Sequence, residues 1–94
     1  MNIEKDYQDS IRFINNLDSN FYFVDFDEKL KLYGLYKQSL FGDNIAPKPY
    51  FFSLKSLNKW NAWKKEFGKS KVQAKLDYIS YVDFIKTKII YNLP

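Results

Sequence analysis

Tyr33-Gly34-Leu35-Tyr36-Lys37-Gln38, closed by Gly42-Asp43, is the stretch on which the reading of this chain turns. In a helix, Tyr33, Tyr36 and Lys37 stand at i, i+3 and i+4 and share one face. Lys37 brings a charge, Tyr33 a hydroxyl donor for an anion, and Tyr36 a ring against which a base can lie. Upstream, Asp25-Phe26-Asp27-Glu28 has the form of a capping box, an acceptor with glutamate three residues on. A helix is therefore predicted from Phe26 through Leu30, Tyr33, Lys37 and Leu40, stopping before Gly42. Gly34 inside it costs ~1 kcal/mol relative to alanine. Either another helix comes close there or a ligand lies in the gap. Leu30, Gly34 and Lys37 fall on one face, which favours the gap.

Helical spacing recurs on both sides. Ile3, Tyr7, Ile11, Ile14 and Leu17 make a stripe over residues 3–17, ended by Asp18-Ser19-Asn20. Phe21-Tyr22-Phe23-Val24 has strand propensity but no evident partner. Residues 41–53 hold Gly42, Pro47 and Pro49 and read as a long loop. Its Phe41, Ile45, Tyr50, Phe51 and Phe52 are expected to tack it onto the bundle. Ser53 or Ser56 caps a third helix, in which Trp60, Trp63 and Phe67 form a stripe read as core, with Gly68 as its C-cap. Ser70 with Gln73 is a second capping box. It opens a fourth helix with the stripe Ala74, Tyr78, Val82, Ile85 and Ile89. Tyr7 and Val82 read as packing between the first and last helices. The expected fold class is all-α: four helices in one domain, 1–94, with the long loop between helices two and three.

Composition narrows the function. Nine Phe, eight Tyr and two Trp in 94 residues can fill a small core, since each large ring buries ~150–250 Å². The chain has no cysteine and no histidine, so the commonest nucleophiles, general bases and zinc ligands are missing. No paired carboxylates at a suitable spacing replace them. Asp25, Asp27 and Glu28 crowd a helix start, where acids favour the macrodipole, and read as caps with no metal role. A net charge of +4 suits an anionic partner. A basic helical nucleic-acid- or protein-interaction module is one alternative, but the lysines alternate with acids and form no continuous stripe. No run reaches the ~18–20 apolar residues of a membrane span, and the polar N-terminus reads as no signal peptide. A cytoplasmic protein is expected.

Beyond Gly42-Asp43 come Pro49, Lys59-Trp60-Asn61-Ala62-Trp63, Gly68-Lys69-Ser70 and Tyr78-Ile79. In order and spacing this series resembles the acyl-CoA-binding protein family, over about Tyr7 to Ile89. The resemblance implies an up-down-down-up bundle, whose parallel second and third helices need a long overhand connection. It implies a protein, not an enzyme, that binds long-chain acyl-CoA and releases it unchanged. No cofactor is implied, and no catalytic or metal residue. Tyr33, Lys37 and Lys59 match the residues that hold the 3′-phosphate of coenzyme A. Tyr36 and Tyr78 match those around the adenine and nearby phosphates. Lys55 matches a further basic position and Leu30 an apolar groove residue, with Gly34 beside it. Two lysines are needed because a ribose 3′-phosphate carries nearly two charges, and charge-assisted bonds are roughly twice as strong as neutral ones. Asn15 stands where many members carry a lysine; Arg12 lies one turn earlier. The expected partners are acyl-CoA, membranes and acyl-CoA-using enzymes in transient contact, and no nucleic acid, for a monomer.

Overall fold

The computed structural model describes residues 2–17, 24–50 and 53–91. Phe21, Tyr22, Phe23, Phe51 and Phe52 lie outside the described residues. Within them the chain forms four helices and no strand: α1 (Ile3–Asn16), α2 (Phe26–Phe41), α3 (Leu54–Lys64) and α4 (Lys71–Tyr91). The starts follow the capping chemistry of the sequence. The Asp25 side chain accepts from the Glu28 backbone N–H, and the Glu28 carboxylate accepts from the Asp25 N–H. Ser53, not Ser56, caps α3. Ser70 Oγ accepts from the Gln73 N–H, but the Gln73 amide donates onward to Asp77, so that box is half closed.

Side-chain contacts fix the directions. Glu4 pairs with Lys75, the Tyr7 ring packs on Tyr78, and Lys86 lies over Phe13, so α1 and α4 run parallel. Glu28 pairs with Lys88, while the Gln38 amide donates to the Lys69 carbonyl, so α2 runs against them. The C-terminal ends of α2 and α3 meet where the Phe41 and Trp63 rings lie 6.0 Å apart. Further back on both helices, Lys59 lies over Tyr33. Thus α3 runs with α2, and the order is up, down, down, up.

The core lies where α1, α2 and α4 meet. Tyr7, Leu32, Leu35, Tyr78, Ile79, Val82 and Ile85 are buried together, with Ile3, Ile11, Ile14 and Ile89 against them. The stripe read in α1 enters this core through Ile3, Tyr7, Ile11 and Ile14, with Leu17 outside it as the C-cap, and that of α4 through Tyr78, Val82, Ile85 and Ile89. In α2 the buried apolar residues are Leu32 and Leu35, and the Tyr/Lys face lies beside them, less buried.

The α3 arm departs from expectation. It ends at Lys64, and a turn follows that leaves Phe67 56% exposed, so Phe67 is not core. Trp60 and Trp63 are half-buried and serve as clamps. Their indole N–H groups donate to the Ala46 and Gly42 carbonyls at 2.9 and 2.8 Å. Gly68, at φ 91°, sits in the turn beyond the helix, its N–H donating to Asp43 Oδ1. The loop is therefore pinned by polar contacts through its first half. Burial of Ile45 does not tack it down: Ile45 is 89% exposed, with Phe41 at 60% and Tyr50 at 86%.

Candidate functional site

The open face of α2 meets α3 along a seam. Leu32 and Leu35 anchor the helix in the core, and this turns Tyr33, Tyr36 and Lys37 outward. From α3, the Lys59 ammonium lies 5.4 Å from the centre of the Tyr33 ring. Lys37 stands 4.5 Å from the Phe41 ring and 5.0 Å from that of Trp63. Such contacts hold an ammonium in place for roughly 0.5–1 kcal/mol at exposed sites and leave its protons free for another partner. Lys59 thus stands beside Tyr33, and Lys37 lies one turn further along α2.

On the other flank, tyrosines from three helices cluster. Tyr78 of α4 is only 4% exposed and packs edge-on to Tyr7 of α1, with ring centroids 5.5 Å apart. Burial, with Tyr7 and Tyr36 close by, pushes the Tyr78 phenol up to about 12. It is therefore a neutral hydroxyl at physiological pH. Burial likewise raises Tyr7. The Tyr7 hydroxyl meets Ser39 Oγ at 2.5 Å, and that hydroxyl lies 2.6 Å from the Tyr36 carbonyl. This short relay ties α1 to the turn of α2 that carries Tyr36. Tyr36 itself is 38% exposed, with its ring available for stacking.

Not every residue read from the sequence falls into this arrangement. Gly34 is buried, and a Cβ built on it would lie 2.2 Å from the Ala62 carbonyl oxygen. No ligand-sized gap stands before it. The α3 backbone fills that space, and the close-approach reading of Gly34 replaces the gap. Leu30 is half-buried and opens onto a cleft of ≈ 780 Å³, shared with Lys31, Asn58, Asn61 and Tyr81 but not with Tyr33, Lys37 or Tyr78. Lys55 is exposed on the first turn of α3. Arg12 is bonded to Asp9 at 3.1 Å, so its guanidinium is already engaged within α1. Phe26, at the start of α2, is exposed.

Below the seam a charged cluster ties α3 to the rest. Glu66 is buried and takes Lys31 and Lys69, each at 2.8 Å, and Lys69 also reaches Asp77 at 2.6 Å. Burial works to raise the Glu66 carboxyl, but the bonds from Lys31 and Lys69 hold it below the ordinary value. Sequence reasoning missed this cluster and the Phe41–Trp63 cradle of Lys37. Phe41 was detectable, standing at i+4 from Lys37. Trp63 and Glu66 depend on how α3 docks. Asp25 and Glu28 act as caps, as read. Among the described residues no group of three or more acids, histidines or cysteines is placed to hold a metal. No helix among them is long and apolar enough to cross a membrane.

The seam offers two lysines and a phenol to an anion and the exposed Tyr36 ring to a planar group. Known proteins resemble this chain in sequence and fold. The family model described as acyl CoA binding protein matches residues 4–82. Acyl-CoA-binding protein 2 of Saccharomyces pastorianus is 50% identical over 62 residues, 66% of this chain and 71% of that protein. The crystal structure of acyl-CoA-binding protein 2 of Oryza sativa superposes with a TM-score of 0.87 at 32% identity, covering 98% of this chain and 99% of that one. The solution structure of the acyl CoA binding protein of Babesia bovis gives 0.75 at 30% identity, over 93% and 96%.

Proposed function

The chain belongs to the acyl-CoA-binding protein family, and from that premise we propose that it binds, buffers and carries long-chain acyl-CoA without altering it. One observation supports the site assignment above the others: Lys59 of α3 lies over the Tyr33 ring of α2, and Lys37, one turn on from Tyr33, is held between Phe41 of α2 and Trp63 of α3. In this reading Lys37 and Lys59 take the 3′-phosphate, with Tyr33 donating its hydroxyl. Tyr36 receives the adenine and the neutral Tyr78 hydroxyl a neighbouring phosphate. Lys55 adds positive potential at the rim, and Leu30 offers an apolar contact to the chain. The acyl chain gains about 0.8 kcal/mol for each methylene buried. No side chain acts as base or nucleophile, no cofactor takes part, and the thioester leaves intact. The chain works as one domain, 1–94, a cytoplasmic monomer that meets membranes and acyl-CoA-using enzymes transiently.

Calorimetry with a long-chain acyl-CoA and its 3′-dephospho analogue tests this. Loss of two charge-assisted bonds should weaken binding by roughly 3 kcal/mol, more than a hundredfold. Equal affinities would remove Lys37, Lys59 and Tyr33 from the 3′-phosphate.

A further inference from the structure

Lysines are held in two ways in this protein. Lys5, Lys31, Lys69, Lys75 and Lys88 reach carboxylates. Lys37 and Lys59 stand over rings, and no carboxylate among the described residues forms an ion pair with either. The difference is chemical. A carboxylate neutralises an ammonium and occupies its N–H donors. A ring face attracts the cation and leaves those donors for an incoming anion.

Phe41 is the ring for which the fold gives no other use. It is the last residue of α2, one turn on from Lys37, and at 60% exposure its burial does not account for it. Its centre lies 4.5 Å from the Lys37 ammonium and 6.0 Å from that of the Trp63 ring. Trp63 faces the same ammonium at 5.0 Å, but its indole N–H also clamps the loop through the Gly42 carbonyl. A lysine on an open helix face has a long stem to order when an anion binds, and that ordering weakens the complex. Between two rings, part of the ordering is done in advance.

We propose that Phe41 is a positioning residue for the 3′-phosphate: with Trp63 it holds the Lys37 ammonium at the seam before ligand arrives, and so raises the preference for a nucleotide that carries a phosphate monoester over one that lacks it. The proposal rests on the assignment of Lys37 to that phosphate. Phe41 acts through Lys37.

Calorimetry of Phe41→Leu and Phe41→Tyr, with a long-chain acyl-CoA and with its 3′-dephospho analogue, tests this. Leucine keeps an apolar side chain without a ring, and tyrosine keeps the ring. In Phe41→Leu the preference for the 3′-phosphate should fall about two- to fivefold, through weaker binding of acyl-CoA and little change for the analogue. Phe41→Tyr should retain the wild-type preference. The side chain is exposed, so the melting temperature should barely move in either variant. In ligand-free protein, NMR should find the Lys37 ε-methylene protons shifted upfield by the rings, less so in Phe41→Leu and as in wild type in Phe41→Tyr. An unchanged preference in Phe41→Leu, equal losses for the two ligands, or a tyrosine variant that behaves like leucine would each overturn the role of Phe41. The absence of the upfield shift would overturn the ring-held ammonium itself. Wild-type indifference to the 3′-phosphate with the shift present would instead strike the assignment of Lys37 to that phosphate, and the role of Phe41 with it.

Discussion

The slab of α1, α2 and α4 and the arm formed by α3 with the 42–50 loop are held by different forces. The slab is closed by interlocking apolar residues: Leu35, Val82 and Ile85 are fully buried, and Tyr7 and Tyr78 meet ring to ring. The arm packs on α2 alone among the helices. It is held by a glycine contact, two indole hydrogen bonds and the Glu66 ion cluster. Apolar burial is non-directional and cooperative, whereas these polar ties are few and each depends on geometry. The candidate site straddles the junction, with Tyr33 and Lys37 on the slab and Lys59 on the arm. Such a site can open by moving the arm while the slab stays folded.

Removing a core residue should have the largest effect and should not respect the division. Leu35→Ala leaves a cavity at the centre of the slab and should cost about 2–5 kcal/mol. Denaturant unfolding followed by α4 and by tryptophan fluorescence from α3 should lose stability together. A loss confined to tryptophan would mean that Leu35 serves the arm alone.

Gly34→Ala should come next and should separate the two regions. Its new methyl meets the Ala62 carbonyl, which is backbone and cannot rotate away. The arm must shift, at about 1–3 kcal/mol. Amide exchange should rise in α3 and remain slow in α4, and acyl-CoA affinity should fall because Lys59 moves with α3. An alanine variant with wild-type exchange in α3 would show that the two helices are not held as close as described.

These two residues also mark how far the sequence could be read. Ala74, Tyr78, Val82 and Ile85 were legible because a slab helix buries one face at a period of 3.6. Leu35 follows the same rule, but it stands between Gly34 and Tyr36 in the Tyr/Lys stretch, where the local pattern points to the other face. The face itself was legible, since Tyr33, Tyr36 and Lys37 are fixed by local spacing. Gly34 was not: its role depends on the Ala62 carbonyl, and no local pattern reveals which backbone comes opposite. Large rings default to core, and spacing alone puts Trp60 and Trp63 there. Their N–H groups needed acceptors, and the loop carbonyls supplied them. For the same reason Ile45 and Tyr50 were expected to pack. A loop already pinned by polar bonds has no need to bury them.

Acid should loosen the arm before the slab. The Glu66 carboxyl lies below its ordinary 4.5 in the folded protein. Its ion pairs therefore stabilise the fold fully above that value, and the contribution is lost as pH falls through the lowered one. In Glu66→Gln this part of the acid dependence should vanish, and stability at neutral pH should drop by about 2 kcal/mol, since charge-assisted bonds to two lysines become neutral or are lost. Measuring stability against pH for both proteins checks this. Parallel curves would mean that Lys31 and Lys69 contribute nothing through Glu66.

Trp63→Phe should have the smallest effect and reports most directly on the seam. Phenylalanine keeps a ring beside Phe41 and near Lys37 but lacks the N–H that donates to the Gly42 carbonyl at 2.8 Å. One hydrogen bond is lost and one carbonyl left without this donor, worth about 0.5–1.5 kcal/mol. If that bond merely adds to global stability, exchange should rise evenly across the protein. If it clamps the loop to the arm, as its position implies, exchange should rise first at the amides around Gly42 and Asn44, with α4 unaffected. Lys37 stands one turn before Phe41, so a slackened loop also loosens the cradle around its ammonium. Acyl-CoA affinity should then fall severalfold while acyl-dephospho-CoA, which does not use that ammonium, falls less. Equal losses for the two ligands would place the effect of Trp63 on the acyl side and break the link between the clamp and the phosphate.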